Sequence, residues 1–215
     1  MAWNEQLARL LSNAEQEGYL TPEEYDKIRI LLMPAAQTQI GGEMAVAGPT
    51  PKNTPTIRNS GHRFGASSEK ELVGVKTELV VVVRRALAYC PQDFCVFDGL
   101  RTPAEQKVLV RTGKSQTLNS KHLMQRDGFG HAVDLVPYTT RPVWEWERIW
   151  PIAAAMDLAA TEIGVADRIR WGGAWDWTLA DFGGNIDAYK NESRLYAERH
   201  PGKDFLDGPH FEWLT

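Results

Sequence analysis

The sequence predicts an α+β domain, a small mixed sheet flanked by helices, preceded by an extra N-terminal helical hairpin. Three observations carry this. Segments with helical spacing of apolar residues are interleaved with short β-rich runs, and the order lacks the regular strand-helix-strand alternation of a doubly wound sheet. Residues 34–62, "PAAQTQIGGEMAVAGPTPKNTPTIRNSGH", are rich in Pro, Gly, Thr and Ala with no sustained period, which is linker composition. The length, 215 residues, suits one domain with a substantial core, here residues 63–215, plus a small appendage.

The elements follow in chain order. In residues 1–33, Leu7, Leu10 and Leu11 mark an apolar stripe that Gly18 interrupts. Thr21, Pro22 and Glu24 restart it as cap, first-turn proline and capping-box glutamate. A pair this small needs something to pack on. "SSEKELVGVKTELVVVVRRALAYC" contains four consecutive valines, yet Val75, Leu79, Val82, Val83, Ala86 and Leu87 fall at helical spacing, so a helix is expected. "DFCVFD" is a short strand. "RTPAEQKVLVRTG" is a helix with Thr102 as N-cap, Pro103 in the first turn, Glu105 closing a capping box and Gly113 at its end. "GHAVDLVPY" is a strand, and "VWEWERIWPIAAAMDLAATEIG" a long helix that tolerates Pro151 and carries Trp144, Trp146 and Trp150 together. A strand "RIRWGG", a helical "NIDAYKNESRLYAER" and a C-terminal strand "PHFEW" complete the series.

Composition narrows the function classes. Hydrophobic residues at 43% and charged residues at 24% fit a soluble globular chain. No apolar stretch approaches the roughly 18 residues of a membrane span, so no stable membrane insertion is expected. The net charge of −4 argues against a general nucleic-acid binder. Small or neutral polymeric partners fit better. The opening "MAWNEQLARLL" lacks the basic, apolar and small-residue regions of a secretory signal, so synthesis in the cytoplasm is expected, with export supplied by another agent. Cys90 and Cys95 are expected as reduced core residues beside a helix-to-strand turn, with a local disulfide as the alternative. Their number excludes a four-cysteine zinc site.

The chemistry concentrates in "SKHLMQRDGFGHAVDLVPY", residues 120–138, with His122, Asp127, His131 and Asp134. A zinc hydrolase needs three protein ligands and one position left open. His122, Asp134 and His210 are the set proposed. On the strand, residues 132, 134 and 136 face one way and 131, 133 and 135 the other, which separates Asp134 from His131. A carboxylate between Val133 and Leu135 is costly to bury without a partner, and a metal is a strong one. His210 stands in "DGPHFEW", with Asp207 three residues before it. A turn at Gly208 and Pro209 would fold Asp207 over the metal as a general base. Glu212, on the same strand face as His210, is the rival base. Spacing alone leaves open whether these histidines are ligands or hydrogen-bonded structural residues.

At these residues the sequence resembles the zinc peptidases of the D-alanyl-D-alanine carboxypeptidase family, most closely the L-alanyl-D-glutamate endopeptidase branch found in phage endolysins. Ser120 and His122 match the opening of that family's S-x-H-x-x-G-x-A-x-D pattern, and Gly130, Ala132 and Asp134 its close. Trp171, Gly172, Gly173 and Trp175 match its W-G-G-x-W motif; Asp207, Pro209, His210 and Phe211 match D-x-P-H-F. "GLRTPAEQKVLVRTGKSQT" upstream is also similar, so the likeness covers roughly residues 65–215.

The resemblance implies the fold shared by D,D-peptidases and hedgehog proteins. It further implies zinc held by His122, Asp134 and His210, Asp207 as base, and Arg101 steadying the carbonyl oxygen. Ser120, Trp171 and Trp175 become candidates for substrate contact. The implied activity is hydrolysis of the L-alanyl-D-glutamate bond in the peptidoglycan stem peptide by a monomeric endolysin that acts on the wall, in the periplasm, after release. The alternatives are a D,D-carboxypeptidase or dipeptidase acting on D-Ala-D-Ala termini, and a noncatalytic wall-binding or virion protein.

Three departures stand out. The stretch from His122 to Gly130 is longer than the compact motif by five residues, expected as a loop bulging away from the metal with Asp127 as a solvated carboxylate. Ala174 replaces the usual aspartate of W-G-G-D-W, with Asp176 nearby. The segment between Trp175 and Asp207 is long, and its helix either walls the groove or packs outside it. Core packing accounts for most of the tryptophans, with a sugar-stacking platform as the lesser alternative. His62 and His200 are expected at the surface.

Overall fold

The computed structural model describes residues 60–201 and 206–215. The N-terminal hairpin and nearly all of the linker expected from the sequence lie outside these residues. The described elements are α1 (Ala66–Glu71), α2 (Thr77–Tyr89), β1 (Phe94–Asp98), α3 (Pro103–Arg111), β2 (Ala132–Pro137), α4 (Trp146–Ile163), β3 (Ile169–Trp171), α5 (Ile186–Arg199) and β4 (His210–Trp213).

The valine run is helical, as its spacing predicts. Leu79, Val82, Val83, Ala86 and Leu87 are all buried along one stripe of α2, which packs on α4. Burying each of these leucines and valines contributes about 1.5–3 kcal/mol, against a few tenths for the poorer helix propensity of valine. Val75 lies outside the helix and pairs with Gly130 in an isolated parallel bridge. At α3 the Thr102 side chain accepts from the Glu105 backbone N–H while the Glu105 carboxylate accepts from the Thr102 N–H, the expected capping box. Two expectations shift. The helix expected over all three tryptophans starts only at Trp146: the Val143 N–H bonds to the Pro137 carbonyl and Glu145 stays extended, which leaves Trp144 outside. The sheet, expected as mixed, is antiparallel in every strand pair, with order β1-β2-β4-β3. Among the described residues, parallel pairing is confined to two isolated bridges, Val75 with Gly130 and Arg101 with Leu123.

Register assigns the two faces of the sheet, because residues directly opposite one another share a face. Val133 opposes Phe211, which opposes Trp171; Ile169 opposes Trp213; Val96 opposes Leu135. That face is apolar and belongs to the core. On the other face Asp134 opposes His210, and Glu212 opposes both Ala132 and Arg170. Asp98 joins this polar face through a β-bulge: Val96 pairs with Leu135 but Asp98 pairs with Asp134, leaving Phe97 as the extra residue. Without the bulge, Asp98 would lie on the apolar face beside Val96.

The segment after His122 forms a tight hairpin, with Met124 bridged to Gly130 and the Gln125 N–H bonded to the Phe129 carbonyl. Asp127 is exposed, as expected of a solvated carboxylate, but it is also paired. It turns back to bond His131 Nε2 at 2.9 Å and Lys76 Nζ at 3.0 Å, and these two contacts hold its carboxyl down at about 2 against the opposing effect of burial. Helix α5 packs against α4 outside the polar face: its Tyr189 is fully buried, stacks on Phe182 at 4.1 Å and donates to Asp157. Among the described residues no helix is long and apolar enough to cross a membrane.

Candidate active site

The polar face floors a cleft of about 810 Å³ that brings together residues from four separate stretches: Asp98 and Arg101, Ser120 and His122, Asp134, and Asp207 with His210. At its centre His122 Nε2, Asp134 Oδ1 and His210 Nδ1 form a nearly equilateral triangle. The three separations are 3.1 Å, 3.2 Å and 3.1 Å.

Hydrogen bonding decides what those atoms offer. His122 Nδ1 lies 2.7 Å from the Gly99 carbonyl, which can only accept, so Nδ1 carries the proton and Nε2 presents a lone pair. His210 Nε2 lies 3.2 Å from Glu212 Oε2, so there too the outer nitrogen donates and the inner one presents a lone pair. Three lone pairs, one on a carboxylate, therefore converge on one point with both histidines buried. Such a cluster needs a cation. Ligands about 2.0–2.1 Å from a tetrahedral zinc stand about 3.3 Å apart, close to the edges of this triangle. In the metal-free protein a proton supplies the charge: burial opposes it, but hydrogen bonds with Asp134 and Glu212 push His210 up to about 9. Burial also works against the Asp134 carboxylate, yet the two histidines hold it well below the usual carboxylate range.

An outer ring of side chains fixes the triangle. Arg101 Nη2 donates to Asp134 Oδ2 at 2.6 Å and its Nε to Asp98 at 2.8 Å, locking the Asp134 carboxylate from behind. Arg170 Nε donates to Glu212 Oε1 at 3.1 Å, and Glu212 orients His210 in turn. Gly99 is required for this arrangement, since a Cβ there would lie 1.8 Å from the Glu71 carbonyl oxygen. Glu212 also lines the cleft, but it meets His210 at Nε2, the ring nitrogen that is not part of the donor triangle. Glu212→Ala is expected to weaken divalent-metal affinity about 10–100-fold, measured by chelator competition, with activity restored by excess metal. Activity lost while metal stays bound would make Glu212 the base instead.

Asp207 and His210 are joined to β3 through backbone bonds. The Asp207 N–H donates to the Gly172 carbonyl at 2.8 Å, the Gly172 N–H to the His210 carbonyl at 2.8 Å, and the His210 N–H to the Asp207 carbonyl at 3.0 Å. Burial, and next the charge of Asp134, raise the Asp207 carboxyl to about 6, with His210, His122 and Arg101 pulling it down. A Cβ on Gly172 would come within 2.4 Å of the Asp207 carbonyl oxygen and 3.0 Å of the His210 Cβ. Gly172→Ala is therefore expected to cut activity by about 100-fold, the scale of a displacement of about 1 Å at a catalytic group. A steady-state assay alongside metal content checks this.

The remaining sequence candidates divide. Ser120 lines the cleft and its Oγ accepts from the His122 N–H at 3.2 Å. Trp175 lines it too, its ring 5.2 Å from that of His210 and beneath the Arg170 guanidinium. Trp171, a candidate for substrate contact, is fully buried on the apolar face, where it packs on Trp146, Phe182 and Tyr189. Its indole N–H donates to the Gly208 carbonyl at 2.6 Å, so it braces the turn between Asp207 and His210 and cannot meet substrate. His131 is likewise buried, held by Asp127 and absent from the triangle. Ala174 is buried, and Asp176 pairs with Arg199 and His200 away from the cleft. Sequence reasoning missed Asp98, Gly99 and Arg170. The signal for Arg170 was a charged residue inside the short apolar run "RIRW"; Asp98 had none, because only the bulge turns it inward.

With this geometry in place, residues 60–214 match the family described as phage L-alanyl-D-glutamate peptidase. The chain belongs to that family. It is 35% identical over 120 residues to the L-alanyl-D-glutamate peptidase of Escherichia phage T5, an alignment covering 53% of this chain and 82% of the relative. It is also similar to the crystal structure of the Serratia marcescens L-Ala D-Glu endopeptidase ChiX, with a TM-score of 0.51 and 35% identity over 74% of this chain and 96% of that one. Membership makes the chain a peptidase, and the cleft with its His-Asp-His group is where this peptidase family member concentrates its polar, buried chemistry.

Proposed function

We propose that this protein is a zinc-dependent peptidoglycan endopeptidase that cuts the stem peptide between L-alanine and D-glutamate, and that His122, Asp134 and His210 hold the metal. The observation that carries the metal is the convergence of three potential donor atoms, two imidazole nitrogens and a carboxylate oxygen, at 3.1–3.2 Å. The bond follows from the family and its two named relatives. Zinc, when bound, supplies a Lewis acid that polarises a carbonyl and makes water acidic near neutral pH.

The chain's own groups do the rest. Asp207, a carboxylate lining the same cleft as the donor triangle, takes a proton from the attacking water and returns it to the leaving amine. Arg101 fixes Asp134 and places its positive charge one carboxylate away from the donor triangle, where it adds to the field that steadies negative charge on the carbonyl oxygen. Ser120 holds the His122 backbone, and Trp175 lies against His210 as a wall for the substrate. The setting that goes with this reading is endolysin action by a monomer on the bacterial wall.

Purified protein should release new amino groups from peptidoglycan, stop with chelator and resume with zinc. Activity that survives exhaustive chelation would overturn the metal assignment. Mass spectrometry of the products decides the bond: L-alanine left alone on the sugar supports it, and release of D-alanine points to the D,D-carboxypeptidase chemistry.

A further inference from the structure

Two aromatic side chains on the cleft have no part in this chemistry. Phe97 is 48% exposed and Trp144 57%, their rings meet edge to face with centroids 5.0 Å apart, and both line the same cleft as the donor triangle. Neither serves the core. Both are put there by backbone departures already described: Phe97 is the extra residue of the β1 bulge, and Trp144 is kept off the start of α4 by the bond from Val143 to Pro137. Bulges of this kind re-aim a side chain beside a site. An exposed aromatic pair continuous with a reaction cleft marks a contact surface for something that arrives with the substrate.

We propose that Phe97 and Trp144 form a sugar-binding platform that takes a pyranose ring of the glycan strand bearing the stem peptide. This rests on the reading of the bond above. L-alanine is amide-linked to the lactyl arm of the glycan's muramic acid, so on the acyl side of the L-alanyl-D-glutamate amide only one amino acid and that short arm precede the sugar ring. The next group along must therefore be carbohydrate. A pyranose presents a face of C–H groups that packs on an aromatic ring while its hydroxyls stay in water, and the two rings here, inclined at 79°, form a corner rather than a flat wall. Gln116 and Asn119 line the same cleft and offer neutral amides to the hydroxyls.

The test compares Trp144→Ala and Trp144→Phe with the wild type on two substrates carrying the same stem peptide, one linked to the disaccharide and one free. Binding of the peptide-free disaccharide is followed by saturation-transfer NMR. The ratio of kcat/KM for the glycan-linked over the free substrate should fall about tenfold in Trp144→Ala, through KM, and largely recover in Trp144→Phe. The NMR signal of the disaccharide should disappear in Trp144→Ala. Phe97→Ala repeats the comparison should Trp144→Ala fail to fold. An unchanged ratio, or equal losses on both substrates, overturns the platform. If the wild type cuts neither substrate yet binds the disaccharide through Trp144, the platform stands and the bond assignment falls. If it cuts both at one rate and binds no sugar, the assignment stands and the platform falls.

Discussion

Asp207→Ala is expected to retain a full complement of zinc and to lose about 10²–10⁴-fold in turnover, the usual contribution of a positioned general base. The separation of the two effects is the point of the experiment. Asp207 lines the cleft but supplies no corner of the donor triangle, and its backbone, not its side chain, ties it to Gly172 and His210. Removing its carboxylate therefore leaves His122, Asp134 and His210 where they are. Asp207→Asn is the closer control, since it keeps the shape and removes the basicity. Metal content by elemental analysis and turnover on purified peptidoglycan, measured on the same preparation, settle the outcome; metal lost together with activity would show that Asp207 is a ligand rather than the base.

His122→Ala and His210→Ala are expected to lose metal and activity together. Each removes one corner of the donor triangle, and in each the supporting bond, to the Gly99 carbonyl or to Glu212, is lost with it. Thermal melting gives a readout that does not depend on turnover. A ligand at about 100 times its Kd stabilises the folded state by about 2.7 kcal/mol, and in a domain of this size each kcal/mol shifts Tm by about 2–4 °C. Zinc should thus raise the wild-type Tm by about 5–10 °C and leave both variants unmoved. A zinc-dependent rise that persisted in His210→Ala would place the metal elsewhere.

The parts of this fold that were legible in the sequence are those decided locally. The Thr102-Glu105 capping box and the apolar stripe through the valines need only neighbours within two turns, and both appear as expected. The alternation along β2 likewise separates Asp134 from His131 without outside help. His122, Asp134 and His210 could be proposed from their chemistry, but their grouping came from the resemblance to a known family, because nothing local links residues 76 positions apart. What escaped depends on register and on tertiary ties. Asp98 reaches the site through a bulge that alternation cannot foresee. Trp144 looked like part of a helix until Val143 was found bonded to Pro137. Trp171 matched a family motif next to the site, yet its strand turns it into the core, and Asp127 found Lys76 from across the chain.

The placement of β4 has a consequence for how the protein comes to be active. This strand carries residues 210–213, far later in the chain than the partner β2, and yet it occupies an interior position in the sheet, between β2 and β3. While the chain emerges from the ribosome, β2 and β3 cannot belong to one sheet until the strand that lies between them has been made. His122 and Asp134 wait with it for their third companion. Closure of the sheet and assembly of the donor triangle are then a single, non-local event.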